Sequence, residues 1–358
     1  MKKTPALFLC ILSSAACLKP AAADVAKWDS RMAADAAVVD TNGVKWIDGR
    51  YLPLEGRAFD DTEFYYDRLP AGVTTNVNAG VRGMKHHTSG MMFRFSCTGA
   101  PLSFRWVPYG AGLAMDHMPA TGMSGIDIYT QNEDGQWRYL KTGRIRPGKN
   151  GAYPTGTVDR VWIKPGTPVL VNLPLYNGLK SFSLGIPKDA EVKALGPRKS
   201  GVDKPVVFYG TSITHGGCCS RPGLAFPAIV CRRLNAPLVN LGFSGNGRME
   251  LSMADYVGEV DASCYVLDCL WNMGGIYPTS DDDDLRAAGC SNKVDVVTTR
   301  FEPFVRRLRK LRPDTPIVFA EQCDVFSKKQ TAFDKVVEDV FRKLKAEGWK
   351  NLYYISKE

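Results

Sequence analysis

The sequence predicts two domains of different class: an all-β sandwich, jelly-roll-like, over residues 24–197, followed by a three-layer α/β domain with a parallel sheet over 198–358. Three observations predict this. Up to about Pro197, apolar and polar residues alternate, as in Leu102-Ser103-Phe104-Arg105-Trp106 and Ser181-Phe182-Ser183-Leu184, which is the period of a half-buried strand. Lys193 to Lys204 is polar and rich in turn formers, with Gly196-Pro197-Arg198-Lys199-Ser200-Gly201, and is the expected linker. Beyond it, short apolar runs are separated by longer stretches whose apolar residues recur at intervals of three and four.

The elements follow in order. Lys2 and Lys3, an apolar run from Ala6 to Cys17, and Ala21-Ala22-Ala23 before Asp24 form a secretory signal over 1–23. The run is too short to span a membrane, so export to the periplasm or the medium is expected, without stable membrane insertion. A lipoprotein cut before Cys17 is the alternative, disfavoured because Ser14-Ala15-Ala16 lacks a large aliphatic residue three positions earlier. In the sandwich, Met91 to Phe95 and Val169 to Leu173 are short apolar strands, and Asp134-Gly135 is a hairpin turn. In the second domain, Val206-Val207-Phe208, Pro237 to Leu241, Cys264 to Leu270, Ile317 to Ala320 and Leu352 to Ile355 read as buried parallel strands. Val297, Phe301, Phe304, Val305, Leu308 and Leu311 mark one amphipathic helix, and Phe333, Val337, Val340, Phe341 and Leu344 another. In such a sheet the functional crevice opens at the carboxyl ends of the strands.

The formal charge of +9 falls by three when Lys2, Lys3 and Lys19 leave with the signal. Basic residues concentrate in Arg300 to Arg312 and Lys328 to Lys350 at helical spacing, which fits solvated helix faces and not a nucleic-acid surface. Of the ten cysteines, Cys264 and Cys269 read as small apolar fillers. One of Cys218-Cys219 could bond to Cys290 or Cys323. No cysteine pair has zinc-site spacing with a histidine. Asp281 to Asp284, without a glycine turn or a distal glutamate, is expected as an exposed loop and not a calcium site. No metal and no organic cofactor is expected.

The chemistry-bearing residues sit at predicted strand ends. Ser212, in Tyr209-Gly210-Thr211-Ser212-Ile213-Thr214-His215-Gly216, stands where the first strand hands over to a helix, as a nucleophile or as a helix cap. Gly242 follows the second strand in Leu241-Gly242-Phe243-Ser244-Gly245-Asn246-Gly247 and offers a backbone N–H. Asn272 follows the third in Leu270-Trp271-Asn272-Met273 and offers a side-chain N–H₂. Together they supply a nucleophile and two donors for a tetrahedral oxyanion. The four histidines are His86, His87, His117 and His215. His86-His87 reads as exposed loop. His215 lies on the same turn as Ser212 and is expected to point away from it. His117, from the sandwich, is a possible substrate contact or substitute base. Sandwich aromatics such as Trp106, Tyr129, Trp137 and Tyr176 read either as sugar contacts or as core.

These blocks resemble the SGNH, or GDSL-like, hydrolase superfamily, in the bacterial branch with an N-terminal β-sandwich. The resemblance rests on Tyr209 to Gly217 continuing through Ser220-Arg221-Pro222-Gly223, on Asn240 to Gly247, and on Leu267-Asp268-Cys269-Leu270-Trp271-Asn272-Met273. In the first half it rests on Gly125-Ile126-Asp127-Ile128-Tyr129, similar to a Gly-x-Asp-Leu-Tyr signature, and on Leu173-Pro174-Leu175-Tyr176-Asn177-Gly178. It implies a flavodoxin-like fold of about five parallel strands. It also implies a secreted serine esterase that removes acyl groups, acetyl foremost, from a small-molecule or oligosaccharide ester, with Ser212 as nucleophile and Gly242 and Asn272 as oxyanion donors. The chain departs from the pattern twice. Thr211 replaces the usual aspartate, and no Asp-x-x-His follows Leu352 to Ile355, where the family places its acid and base before a last helix. The expectation is therefore a hydrolase domain lacking that helix, and the alternative is a non-catalytic glycan-binding or remnant protein.

Overall fold

In a computed structural model, residues 37–275, 283–323 and 328–357 are described; the expected signal over 1–23, and Asp281 and Asp282, lie outside them. The alternating first half pairs into an eleven-stranded antiparallel sheet that curls over its own core. Trp137–Arg146 carries the sheet from one layer to the other, pairing first with Ile126–Gln131 and then with Thr155–Val161. Alternation turns Phe93, Phe95, Phe104, Trp106 and Phe182 fully inward. The indole N–H of Trp106 donates to the Ser124 carbonyl at 2.9 Å, so the ring is buried without an orphaned donor. Two short helices, Ala79–Met84 and Ala120–Met123, interrupt the β pattern.

The second domain has five parallel strands: β1 (Val206–Gly210), β2 (Leu238–Gly242), β3 (Cys264–Asp268), β4 (Ile317–Ala320) and β5 (Leu352–Ile355). Their order is β2-β1-β3-β4-β5, the flavodoxin-like arrangement. Its helices are α1 (Ser212–His215), α2 (Phe226–Leu234), α3 (Leu251–Glu259), α4 (Leu270–Met273), α5 (Asp283–Ala287), α6 (Lys293–Leu311) and α7 (Ala332–Ala346). Capping boxes at Asn292/Asp295 and Thr331/Asp334 fix where α6 and α7 begin. The expected loop at Asp283-Asp284 is instead the first turn of α5, because the Asp284 carboxylate accepts two bonds from the buried Arg300 guanidinium, at 2.7 and 2.8 Å.

The two domains share one hydrophobic core. Leu69, Val73, Val77 and Val81 of the first pack with Val239, Leu241, Phe243 and Met249 of the second. An edge strand needs cover for its unpaired backbone groups, and the segment around residues 56–90 covers β2. Gly90 lies so close that a Cβ there would sit 3.0 Å from the Asn240 nitrogen. Arg68, 1 % exposed, drives its guanidinium into the same edge, donating to the carbonyls of Asn240 (3.1 Å) and Gly242 (2.7 Å) and to that of Met84 (2.9 Å). The signature residue Asp127, fully buried, accepts from Asn172 Nδ2 at 2.8 Å and from the Gly223 N–H at 2.9 Å. That motif is thus a docking device across the domain boundary. Burial pushes the Asp127 carboxyl up to about 6, against the Gly223 and Asn172 bonds that favour its charge. No disulfide joins the eight described cysteines, Cys218, Cys219, Cys290 and Cys323 among them. No described helix is long and apolar enough to cross a membrane.

Candidate active site

Ser212 opens α1 at the carboxyl end of β1. The capping role falls to Thr211, whose extended backbone and hydroxyl receive the Ile213 N–H at 3.2 Å. Ser212 Oγ is therefore not consumed as a cap, and it has no hydrogen-bond partner among the described residues. Gly216 ends the helix at φ +101, a left-handed conformation that glycine adopts without strain. Its N–H and that of Gly217 both donate to the Ser212 carbonyl, at 3.0 and 2.7 Å. From below, Thr214 Oγ1 donates to Asp268 Oδ2 at 2.8 Å. Burial lifts the Asp268 carboxyl to about 6, against that bond.

Asn272 lies on α4, beyond the end of β3. Its Oδ1 accepts the Gly247 N–H at 3.1 Å, and its Nδ2 has no partner among the described residues. Gly247 in turn packs on β1, where a Cβ would lie 2.1 Å from the Gly210 carbonyl. The amide is thus oriented against the turn that leads into Ser212, with its acceptor used and its donors open.

Gly242 does not fit the donor role expected of it. Its N–H donates to Asn240 Oδ1 at 2.8 Å, while Asn240 Nδ2 ties the same turn to the Thr214 carbonyl at 2.7 Å. Three residues on, Gly245 is exposed, with φ +70 and no partner for its N–H among the described residues. A local signal for this existed in the sequence: asparagine side chains readily accept the N–H two residues ahead, and Asn240 precedes Gly242 by two.

Comparisons with known proteins identify both halves of the chain. Residues 203–358 match the GDSL-like Lipase/Acylhydrolase family, and residues 44–192 match the N-terminal GxDLY domain of SGNH-hydrolase-type esterases. The chain belongs to the GDSL-like esterase family. A structure described as a GDSL-like lipase, from Bacteroides ovatus, is 25% identical over 88% of this chain and 87% of that one, with a TM-score of 0.71. The salicylyl-acyltransferase SsfX3 of a tetracycline biosynthetic pathway is 18% identical, covers 88% of this chain and 86% of its own, and has a TM-score of 0.64. A family two carbohydrate esterase from Cellvibrio japonicus is 13% identical over 87% and 88%, at 0.50. The last two share the fold. No curated protein matches the chain.

The histidines of this esterase-family protein are placed differently from expectation. His86 and His87 are half-buried, not exposed loop. His86 Nδ1 meets Asp67 Oδ1 at 2.9 Å and its ring stacks on Tyr109. His87 Nδ1 faces His215 Nε2 at 3.3 Å. His215 is fully buried and, as expected, turned from Ser212: Nε2–H donates to the Leu175 carbonyl at 2.8 Å, and Nδ1 accepts the Ser244 N–H at 3.4 Å. His117 is exposed and without a partner among the described residues. Its segment docks on the loop after α1, where Thr121 Oγ1 donates to the Ser220 carbonyl at 2.6 Å. Trp106, Tyr129 and Tyr176 are buried and so serve core and interface, not a sugar surface. Glu63, Asp67 and His86 present ligand atoms within 4.8 Å of one another, but Lys85 Nζ already sits 2.8 Å from Glu63 Oε2 as their cation.

Burial, then the nearby Arg68 guanidinium, pushes His87 down to about 3 and holds His215 well below the usual imidazole range. Both are neutral in the fold, whereas an unfolded histidine titrates near 6.5. Below that pH the unfolded chain takes up protons that the native state refuses. The stability these residues contribute is full above about 6.5 and is lost as pH falls below it, at about 1.4 kcal/mol per pH unit for each. His87→Asn should therefore lose about 2 kcal/mol less than wild type between pH 6.5 and 5, measured by urea unfolding at both values. Equal losses would remove His87 from this account.

Proposed function

We propose that this protein is an exported serine esterase that removes acyl groups, acetyl in particular, from an ester-substituted carbohydrate through an acyl-enzyme at Ser212. The observation that carries this reading is the Asn272 amide, open at Nδ2 and anchored at Oδ1 by Gly247, which packs on the turn into Ser212, together with a serine whose hydroxyl is free of capping. In the first step Ser212 Oγ attacks the ester carbonyl and loses its proton to a base. The carbonyl oxygen becomes an oxyanion, received by Asn272 Nδ2 and the Gly245 N–H, which replaces Gly242 in this role. Collapse expels the sugar alkoxide, which takes the proton back, and water then releases the acid by the same route. His86, His87 and His215 are committed to other partners, so His117 is the described histidine left for a substrate contact or a substitute base. Carbohydrate as the alcohol rests on the fold shared with the family two carbohydrate esterase.

A second reading, binding of acylated glycan without turnover, is favoured by one observation: no described base hydrogen-bonds Ser212 Oγ. A fluorophosphonate and an acetylated oligosaccharide separate the two. An esterase is expected to take up one phosphonyl group at Ser212, by intact mass and peptide mapping, and to release acetate; Ser212→Ala should do neither. Acetate release that persists in His117→Ala would take that histidine out of the mechanism. Binding of the oligosaccharide with no label and no acetate would establish the second reading.

A further inference from the structure

The sequence motif Leu173 to Gly178 belongs to the first domain, yet it ends over the nucleophile turn of the second. Tyr176 is buried there, and its hydroxyl donates to the Ser212 carbonyl at 3.2 Å. The same oxygen already accepts the Gly216 and Gly217 N–H groups, so the tyrosine completes a three-donor hold on the peptide that carries the nucleophile. Its ring stacks on His215, with centroids 4.0 Å apart and planes 14° from parallel. His215 spans three pieces of chain. Its backbone is the end of α1, its Nε2–H holds the Leu175 carbonyl, and its Nδ1 accepts the N–H of Ser244. Ser244 immediately precedes Gly245, the proposed oxyanion donor. Burial raises the Tyr176 pKa, and the neighbouring Ser244 side chain opposes the rise.

The tyrosine is itself held rigidly. The Leu175 and Tyr176 N–H groups donate to the Gly122 and Met123 carbonyls, at 3.3 and 3.1 Å, and Ser89 Oγ of the first domain donates to the His215 carbonyl at 2.7 Å. A stacked pair with one ring from each domain therefore links the Ser212 turn to the Ser244-Gly245 turn. Their relative placement decides whether a carbonyl carbon at Ser212 Oγ puts its oxygen within reach of the donors, and an error of 1 Å in such geometry costs about 100-fold in rate.

We infer that Tyr176 is a positioning residue of the esterase site, supplied by the first domain and acting through the Ser212 carbonyl and the His215 stack. The inference rests on the esterase reading above. It distinguishes the first domain from a detachable glycan-binding appendage, because the domain then contributes to kcat and not only to KM.

The test compares wild type, Tyr176→Phe and Tyr176→Leu in the full chain, with 4-nitrophenyl acetate as substrate and the rate of Ser212 phosphonylation as a second measure. Tyr176→Phe keeps the stack and loses the bond to Ser212. It is expected to lower kcat and the labelling rate about 10-fold, with KM within about twofold and an unchanged melting temperature. Tyr176→Leu loses both contacts and should lower kcat about 100-fold, a loss that Phe largely recovers. A wild type that neither turns over nor labels would defeat the esterase reading and this inference with it. An active wild type whose Phe variant keeps full kcat, or loses rate only in step with its melting temperature, would overturn the inference alone.

Discussion

Replacing Arg68 by methionine is expected to lower the free energy of unfolding by about 3–5 kcal/mol. Among the described residues, the hydrogen-bond partners of Arg68 are not carboxylates but the carbonyls of Asn240, Gly242 and Met84. Burial pulls its pKa down to about 9, so the guanidinium is still charged at neutral pH and interacts with the three carbonyl dipoles as a cation, with the Phe243 ring 4.6 Å away adding a further favourable contact. Methionine restores most of the volume and relieves the cost of burying a charge. It also leaves carbonyls at the edge of β2 without donors, at about 1–3 kcal/mol each. The second effect outweighs the first because two of the three belong to one strand edge, where the Arg68 guanidinium donates to both. Arg68→Lys should fall between, since one ammonium cannot meet carbonyls on two separate segments. Urea midpoints of the three proteins decide it, and a methionine variant within 1 kcal/mol of wild type would show that water reaches that edge.

Arg68 also marks where the sequence stops being informative. The five strands of the second domain were legible because a parallel strand covered on both faces must be an apolar run, and Ile317–Ala320 and Leu352–Ile355 coincide with theirs to the residue. The two long helices were legible because Phe301, Phe304, Val305 and Leu308 repeat with the period of one buried face. Arg68, His87 and His215 have no such signature. Each is a polar residue whose burial, partial for His87, comes from a partner far away in the chain, His87 from His215 and Arg68 from β2, and nothing local distinguishes them from surface residues. The same limit applies to Asp127, whose motif was visible but whose task, receiving the Gly223 N–H across the domain boundary, is tertiary. Ser212 and Asn272 could be placed in the sequence because strand ends can be located from strands. Among the glycines of Leu241 to Gly247, pattern alone did not separate a turn-maker from a free donor; the side chain of Asn240 does.

Changing Asn272 to alanine is expected to lower kcat for ester hydrolysis by about 10²–10³, with KM nearly unchanged, as for loss of one oxyanion donor elsewhere. On the proposed mechanism the effect falls on kcat, because Nδ2 meets charge that develops only in the transition state. Its pre-organisation comes from the other end of the amide: Oδ1 is held by the Gly247 N–H, so rotation about the amide would sacrifice that bond. Alanine does not strand Gly247, whose N–H also reaches the Phe243 carbonyl at 3.0 Å, and the half-buried position leaves room for water. The melting temperature should thus stay close to that of wild type while the chemistry slows. Asn272→Asp gives a sharper outcome, because it keeps the acceptor for Gly247 and places a carboxylate where the oxyanion must form. It should be slower than the alanine variant, since a missing donor admits water but an anion repels the transition state. If the aspartate variant is instead as fast as wild type, the oxyanion forms elsewhere, and the crevice at the ends of β1, β2 and β3 is not where the ester reacts.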